Sequence, residues 1–173
     1  IICVHHEQAA CMAMQTYYRT NGIVTAAILT TGGGCTNGIT GVVSAWADSI
    51  PGIIISGNEN SKFVDLHKDL RMWGVQGYDS SYMVNKVTKY STLILNSNDV
   101  KYELEKAHAL STHGRPGPCW IDIPMNLQST NIQLDKVNHF KDKELPNLNL
   151  ISESDLLNNI DSIIEALKSA KRP

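Results

Sequence analysis

No run in this sequence stays apolar for the roughly 18 to 20 residues that a membrane-spanning helix requires, and no basic-then-apolar leader opens it. Neither a helical span nor a secretory signal is expected. Paired Cys-x-x-Cys spacing is missing as well. Cys3, Cys11, Cys35 and Cys119 are scattered through apolar segments, which favours buried, reduced thiols of a cytoplasmic protein over zinc sites or disulfides. Basic excess is the third absence: 15 Lys and Arg against 17 Asp and Glu leave a formal charge of -2. That balance offers no electrostatic footprint for nucleic acid or for an anionic membrane surface. A small molecule or another protein surface is left as the partner.

The 173 residues, 42% of them apolar, suffice for one full core and are short for two domains. The chain opens on Ile1-Ile2-Cys3-Val4, a buried-strand pattern with no initiator Met and no polar lead-in, and stops at Pro173. Both ends read as cuts inside a longer protein. From Glu7 to Asn58 the pattern is helix, apolar strand, glycine turn, helix, apolar strand, the order of a parallel α/β unit. The first helix, Glu7 to Arg19, carries apolar residues on most of its faces and is expected to be buried among neighbours. Strands are expected at Ile23–Leu29, Gly52–Gly57, Ser91–Leu95 and Cys119–Pro124. Helices are expected at Ser80–Thr88 and Asn98–Ser111, and a short one near Phe63–Leu70. Asn58 to Tyr78 is otherwise polar and irregular, a length of loop that in a compact domain marks function or an interface.

The turn Thr30-Thr31-Gly32-Gly33-Gly34-Cys35-Thr36-Asn37 has two readings. It is a tight strand-to-helix connection, or it is a place where a ligand comes close to bare backbone at the carboxyl ends of a parallel sheet. Its glycines make a poor dinucleotide fingerprint and no lysine follows, so a P-loop is disfavoured. Thr36 or Asn37 is the expected cap of the next helix. Past Met125 the periodicity fades into Asn, Lys, Asp and Pro. A final amphipathic helix follows, capped by Ser152 with Asp155, stapled by Ile151 on Leu156, and striped by Leu156, Leu157, Ile160, Ile163, Ile164 and Leu167.

Seven motifs in order carry a resemblance. They are His6-Glu7-Gln8-Ala9-Ala10, Tyr17–Arg19, Thr30–Asn37, Ala47-Asp48-Ser49-Ile50-Pro51 with Ile55-Ser56-Gly57, Gly74-Val75-Gln76, Arg115-Pro116-Gly117-Pro118 with Ile121-Asp122-Ile123-Pro124, and Ala170-Lys171-Arg172-Pro173. Together they resemble the amino-terminal pyrimidine-binding domain of thiamine-diphosphate-dependent enzymes of the acetolactate synthase type. The resemblance implies an open parallel sheet with helices on both faces, lacking the family's first strand and helix. Residues 1–128 would form that domain, 129–150 a linker, and 151–173 the first helix of a truncated central domain.

The family's chemistry assigns roles. A glutamate, here Glu7, would hydrogen-bond the aminopyrimidine ring and favour the imino form that takes the thiazolium C2 proton, from a dry pocket that raises its proton affinity. Thr30, Gly33, Asn37 and Gln76 would line the aminopyrimidine side. Mg²⁺ and the diphosphate would be held by another domain of a neighbouring subunit, making the working form a homo-oligomer acting on a small 2-keto acid. Taken without the resemblance, Glu7 is a carboxylate favoured by a helix dipole, Asn37 a cap and Gln76 a loop tie. His5 and His6 are expected to be structural histidines. Gly33 replaces a usual proline, Gln15-Thr16 a usual Glu-Gly pair and Asn126 a usual Asp, which suggests a divergent member. A separate small subunit of a two-chain 2-keto acid decarboxylase, or a non-catalytic nucleotide-binding or oligomerisation module on the same fold, are the competing readings.

Overall fold

The computed structural model describes residues 1–66, 70–148 and 152–172. Four strands, β1 (Ala26–Leu29), β2 (Gly52–Asn58), β3 (Tyr90–Leu93) and β4 (Pro118–Pro124), form one sheet in the order β1-β2-β4-β3, every pair parallel. Parallel strands need crossovers, and the helices that supply them cover both faces. Side-chain alternation divides the core accordingly. Ile54 of β2 and Trp120 of β4 join Ala27 and Leu29 on the face packed by α1 (Glu7–Asn21) and α2 (Gly33–Ala47). Ile53, Cys119 and Ile121 face the other way, against Ala107, Leu104 and Leu110 of α5 (Val100–Thr112). This is the expected open α/β sheet.

The α1/α2 pair is unusually close because α2 is nearly bare along one side. A methyl group on Gly38 would strike Leu29 and the Cys11 sulfur, and one on Gly41 would strike Cys11 of α1. Gln15, buried on the same face of α1, donates to the Gly41 carbonyl at 2.8 Å and accepts from Ser44, so the pair is pinned by polar contacts too. The residue that departs from the usual Glu thus serves as a helix-to-helix tie. His6 caps α1, its Nδ1 accepting from the Gln8 N–H, and Gly22 ends it at φ 68°.

Several expectations are corrected. Ile1–Val4 forms no strand, and Ile1 and Ile2 are fully exposed, because among the described residues no neighbouring strand offers it a hydrogen-bond ladder. Cys3 is exposed with it, although Cys11, Cys35 and Cys119 are buried free thiols as expected. The α1 helix buries one face only, leaving Met12 and Tyr17 about half exposed. The α2 helix starts at Gly33 with Gly32 as its cap and no side-chain cap, so neither Thr36 nor Asn37 caps it. Helix α4 (Ser80–Met83) stops well before Thr88.

The short α3 (Ser61–Leu66) falls where a helix was expected; its continuation through 67–69 lies outside the described residues. Asn126 in α6 (Met125–Gln128) reaches back to α3, accepting from the Ser61 N–H at 2.9 Å and donating to its hydroxyl at 3.0 Å. The last helix, α7 (Glu153–Ser169), has the expected Ser152 cap on Asp155, while the Ile151 staple lies outside the described residues. Every residue from 152 to 172 is exposed, the apolar stripe included. Among the described residues no helix is long and apolar enough to cross a membrane.

The close α1/α2 contact yields a direct expectation. Gly41→Ala should lower the unfolding free energy by about 1–3 kcal/mol, the range for overpacking a tight core. Urea denaturation would show this as a lower midpoint at unchanged slope; an unmoved midpoint would mean that the two helices can part freely.

Candidate functional site

Parallel sheets gather the amino ends of their following helices beyond the carboxyl ends of the strands, and here β1 runs straight into the glycine turn and α2. Glu7, first residue of α1, places its carboxylate against that turn. A Cβ added to Gly34 would lie 2.9 Å from Glu7 Oε1 and would collide with the Thr30 methyl. Asn37, one turn into α2, donates its amide to Glu7 Oε2 at 3.1 Å. Glu7, Thr30 and Asn37 therefore surround a glycine that has no room to be anything else.

The turn is contacted from the other direction by Gln76. Gly32 adopts φ 69°, and a Cβ there would sit 2.7 Å from the Gln76 carbonyl oxygen. Gly33, in contrast, has open space around it. It is the first residue of α2, a position that suits proline, so its glycine leaves the turn with backbone freedom that no packing demands.

Beside the turn lies a cleft of about 610 Å³. Ile28, Ile55, Ile123, Met125 and Val75 give it apolar walls, with Thr30, Ser56, Asn58, Glu59, Gln76 and Gln128 among its polar lining. The strand register sets Ile28 beside Ile55 and Ile55 beside Ile121, which places this cleft toward the α5 side of the sheet. Glu7 and Asn37 do not line it. Of the five expected site residues, Glu7, Thr30 and Asn37 converge on Gly34, while Thr30 and Gln76 line the cleft. Gly33 joins them through the chain and by no side-chain contact.

The electrostatics of Glu7 differ from expectation. Its carboxyl is held below the usual carboxylate range, first by its own backbone N–H at the helix start and then by the Asn37 amide. The expected rise required a dry pocket, and this carboxyl is only half-buried with hydrogen-bond donors as its neighbours. Asn37 is settled as a partner of Glu7 rather than a cap.

A second carboxylate lies within the Ile121-Asp122-Ile123-Pro124 motif. Asp122 of β4 is fully buried, accepting from the Ser80 hydroxyl at 2.5 Å, the Ser81 N–H at 3.1 Å and the Trp120 indole at 2.7 Å. Burial pushes its pKa up to about 6 in spite of those donors. A charged residue between Ile121 and Ile123 in a central strand was the available signal, since such a group is buried only with partners.

Comparison with known proteins bears directly on this arrangement. Residues 1–85 match the family described as "Thiamine pyrophosphate enzyme, N-terminal TPP binding domain". The acetolactate synthase large subunit of Haemophilus influenzae is 35% identical over 134 residues, 76% of this chain and 22% of that protein. The large subunit from Buchnera aphidicola is 32% identical over 99% of this chain and 29% of its own length, and that of Corynebacterium glutamicum 32% identical over 99% and 26%. The chain is an acetolactate-synthase-like member of the thiamine-pyrophosphate enzyme family. Its matched region is the amino-terminal, cofactor-binding domain, and the chain spans less than a third of the length of these relatives. For a domain of this family the turn's geometry acquires a meaning, because Gly34 and Glu7 are juxtaposed by tertiary contact and not merely by sequence order.

Two expectations follow for the site. Gly33→Ala should leave stability within about 0.5 kcal/mol, while Gly34→Ala should cost severalfold more, because Thr30 or the Glu7 carboxylate must move; paired thermal melts decide it. Asp122 binds its proton more tightly in the folded chain than at its ordinary pKa of 3.8, so its contribution to stability is full below 3.8 and is lost as pH rises through about 6. Asp122→Asn should flatten that slope in urea titrations across the window. It should also cost about 1–3 kcal/mol, because the new amide meets donors instead of offering two acceptor oxygens.

Proposed function

We propose that this chain supplies the pyrimidine-binding half of a thiamine-diphosphate-dependent carboligase or decarboxylase acting on small 2-keto acids such as pyruvate. The observation that carries this reading is the Glu7 carboxylate resting on the Gly34 backbone with Asn37 fixing one of its oxygens. A flat aromatic ring with hydrogen-bonding edges fits beside such a carboxyl, since the open space around Gly33 lets it approach and the fixed carboxyl can hydrogen-bond its edge. Bound thiamine diphosphate would supply an acidic thiazolium C2–H, whose carbon becomes a nucleophile toward a keto group once its proton is removed.

The chain's own residues would act as follows. Asn37 orients Glu7 by holding Oε2. Glu7 hydrogen-bonds the pyrimidine ring nitrogen and holds a proton there. Thr30 and Gln76 border the ring's pocket, and Gly33 leaves its rim free of side chains. A protein surface laid over Glu7 would desolvate the carboxyl and raise its pKa, opposing the lowering seen in this chain. We assign that cover to the diphosphate-binding domain of a neighbouring subunit, which would also hold Mg²⁺, in a cytoplasmic homo-oligomer. Residues 1–128 would be the pyrimidine-binding domain, 129–150 a linker and 151–173 the start of the next domain, in keeping with the exposure of the whole α7 stripe.

The test is Glu7→Gln in the complete assembled protein, given thiamine diphosphate, Mg²⁺ and pyruvate. Turnover should fall by roughly 10²-fold or more, the scale of a lost proton-transfer group, with thermal stability retained. Undiminished turnover would end the catalytic assignment of Glu7.

A further inference from the structure

Glu59 follows directly after β2 and was singled out by no motif, yet the loop beside the site is built around its side chain. Trp73 and Gly77 exchange backbone hydrogen bonds at 2.8 Å in each direction, closing a small hairpin with Gly74-Val75-Gln76 at its tip. The Glu59 Oε1 accepts from both the Val75 and the Gln76 N–H, each at 3.2 Å. Gly74 lies at φ 58°, and a Cβ on it would be 2.8 Å from the Glu59 carboxyl carbon; a Cβ on Gly77 would be 2.6 Å from Glu59 Cγ. The two glycines that flank the tip thus leave free the space this side chain fills.

The base of the loop is secured separately. Asn58 accepts from the Glu59 N–H at 2.9 Å and donates to the Tyr78 carbonyl at 2.8 Å, clamping both ends of the excursion with one side chain. Its amide is also 3.5 Å from the buried Asp122. Among the described residues lining the cleft none is a Lys, Arg or His, and the Glu59 carboxylate is met there by backbone N–H groups. One carboxylate oxygen that accepts from two successive N–H groups ties both to a single point.

We propose that Glu59 is a positioning residue: its carboxylate fixes the 74–76 tip and thereby holds Gln76 on the Gly32 turn at the edge of the cleft. The part of this that concerns ligand binding rests on the reading of Gln76 as a pocket residue; the part that concerns loop conformation does not.

The two are tested separately. Hydrogen exchange on this chain, folded by circular dichroism, should show the Val75 and Gln76 amides exchanging roughly tenfold faster or more in Glu59→Ala. Glu59→Gln, which keeps an acceptor oxygen, should recover most of the protection. Unaltered exchange at both amides in Glu59→Ala overturns the proposal, and so does failure of Glu59→Gln to restore any protection in a folded chain. In the complete assembled protein, calorimetric titration with thiamine diphosphate and Mg²⁺ should give similar losses of affinity for Glu59→Ala and Gln76→Ala and no greater loss for the pair. Additive losses would mean that Glu59 does not act through Gln76. A wild-type protein that takes up no thiamine diphosphate would sink the functional reading above, while the exchange measurement still decides whether Glu59 shapes the loop.

Discussion

The contact on which the site depends is the close approach of α1 to α2. Gly34, Gly38 and Gly41 fall on one side of α2, so the two helices meet nearly backbone to backbone around Cys11 and Thr30. At the amino end of that seam the Glu7 carboxylate reaches Asn37; near its other end Gln15 reaches Gly41 and Ser44. A methyl group on Gly41 would strike Cys11 of α1 directly, one on Gly34 would strike Thr30 and the Glu7 carboxylate, and one on Gly38 would strike Leu29 of β1. The geometry of a carboxyl on a bare turn is therefore a property of helix packing, with the whole length of the seam as its lever.

A second system supports the opposite side of the turn. Asp122, buried under the carboxyl ends of the strands, gathers Ser80, Ser81 and Trp120 and lies near Asn58; Asn58 clamps Glu59 and Tyr78, and Glu59 holds the tip that carries Gln76. A buried carboxylate is costly unless it is satisfied, and here its donors come from the start of α4 and from its own strand. The same network that makes the burial tolerable also fixes the loop beside the cleft. The glycine turn is thus held at two points, by the helix seam at Gly34 and by the carboxylate-anchored loop at Gly32.

How much of this could be read in advance differs by feature. Apolar runs bounded by Gly and Pro locate the strands to within a few residues, because buried parallel strands need unbroken aliphatic side chains on both faces. Gly22 as the end of α1 and Ser152 as a cap are equally local. The first four residues illustrate the limit. Ile1–Val4 has strand composition and yet pairs with no described strand, since a strand is defined by the neighbour that receives its hydrogen bonds. The amino end of α2 departs from the expected cap for a related reason: Gly32 takes the cap position at φ 69°, where an added side chain would strike Gln76, far away in sequence.

The sequence alone determined the fold class and the order of its elements, because periodicity and turn chemistry act over a few residues, while its likeness to the family proposed Glu7, Thr30, Gly33, Asn37 and Gln76 for the site. Tertiary structure alone decided that Asn37 serves Glu7 instead of the helix end, that Gln76 lies on Gly32, that Glu7 sits on Gly34 rather than Gly33, and that Glu59 and Asp122 matter at all. Each of those outcomes depends on which groups meet through space and how much water they keep, quantities that arise only once distant segments have packed together.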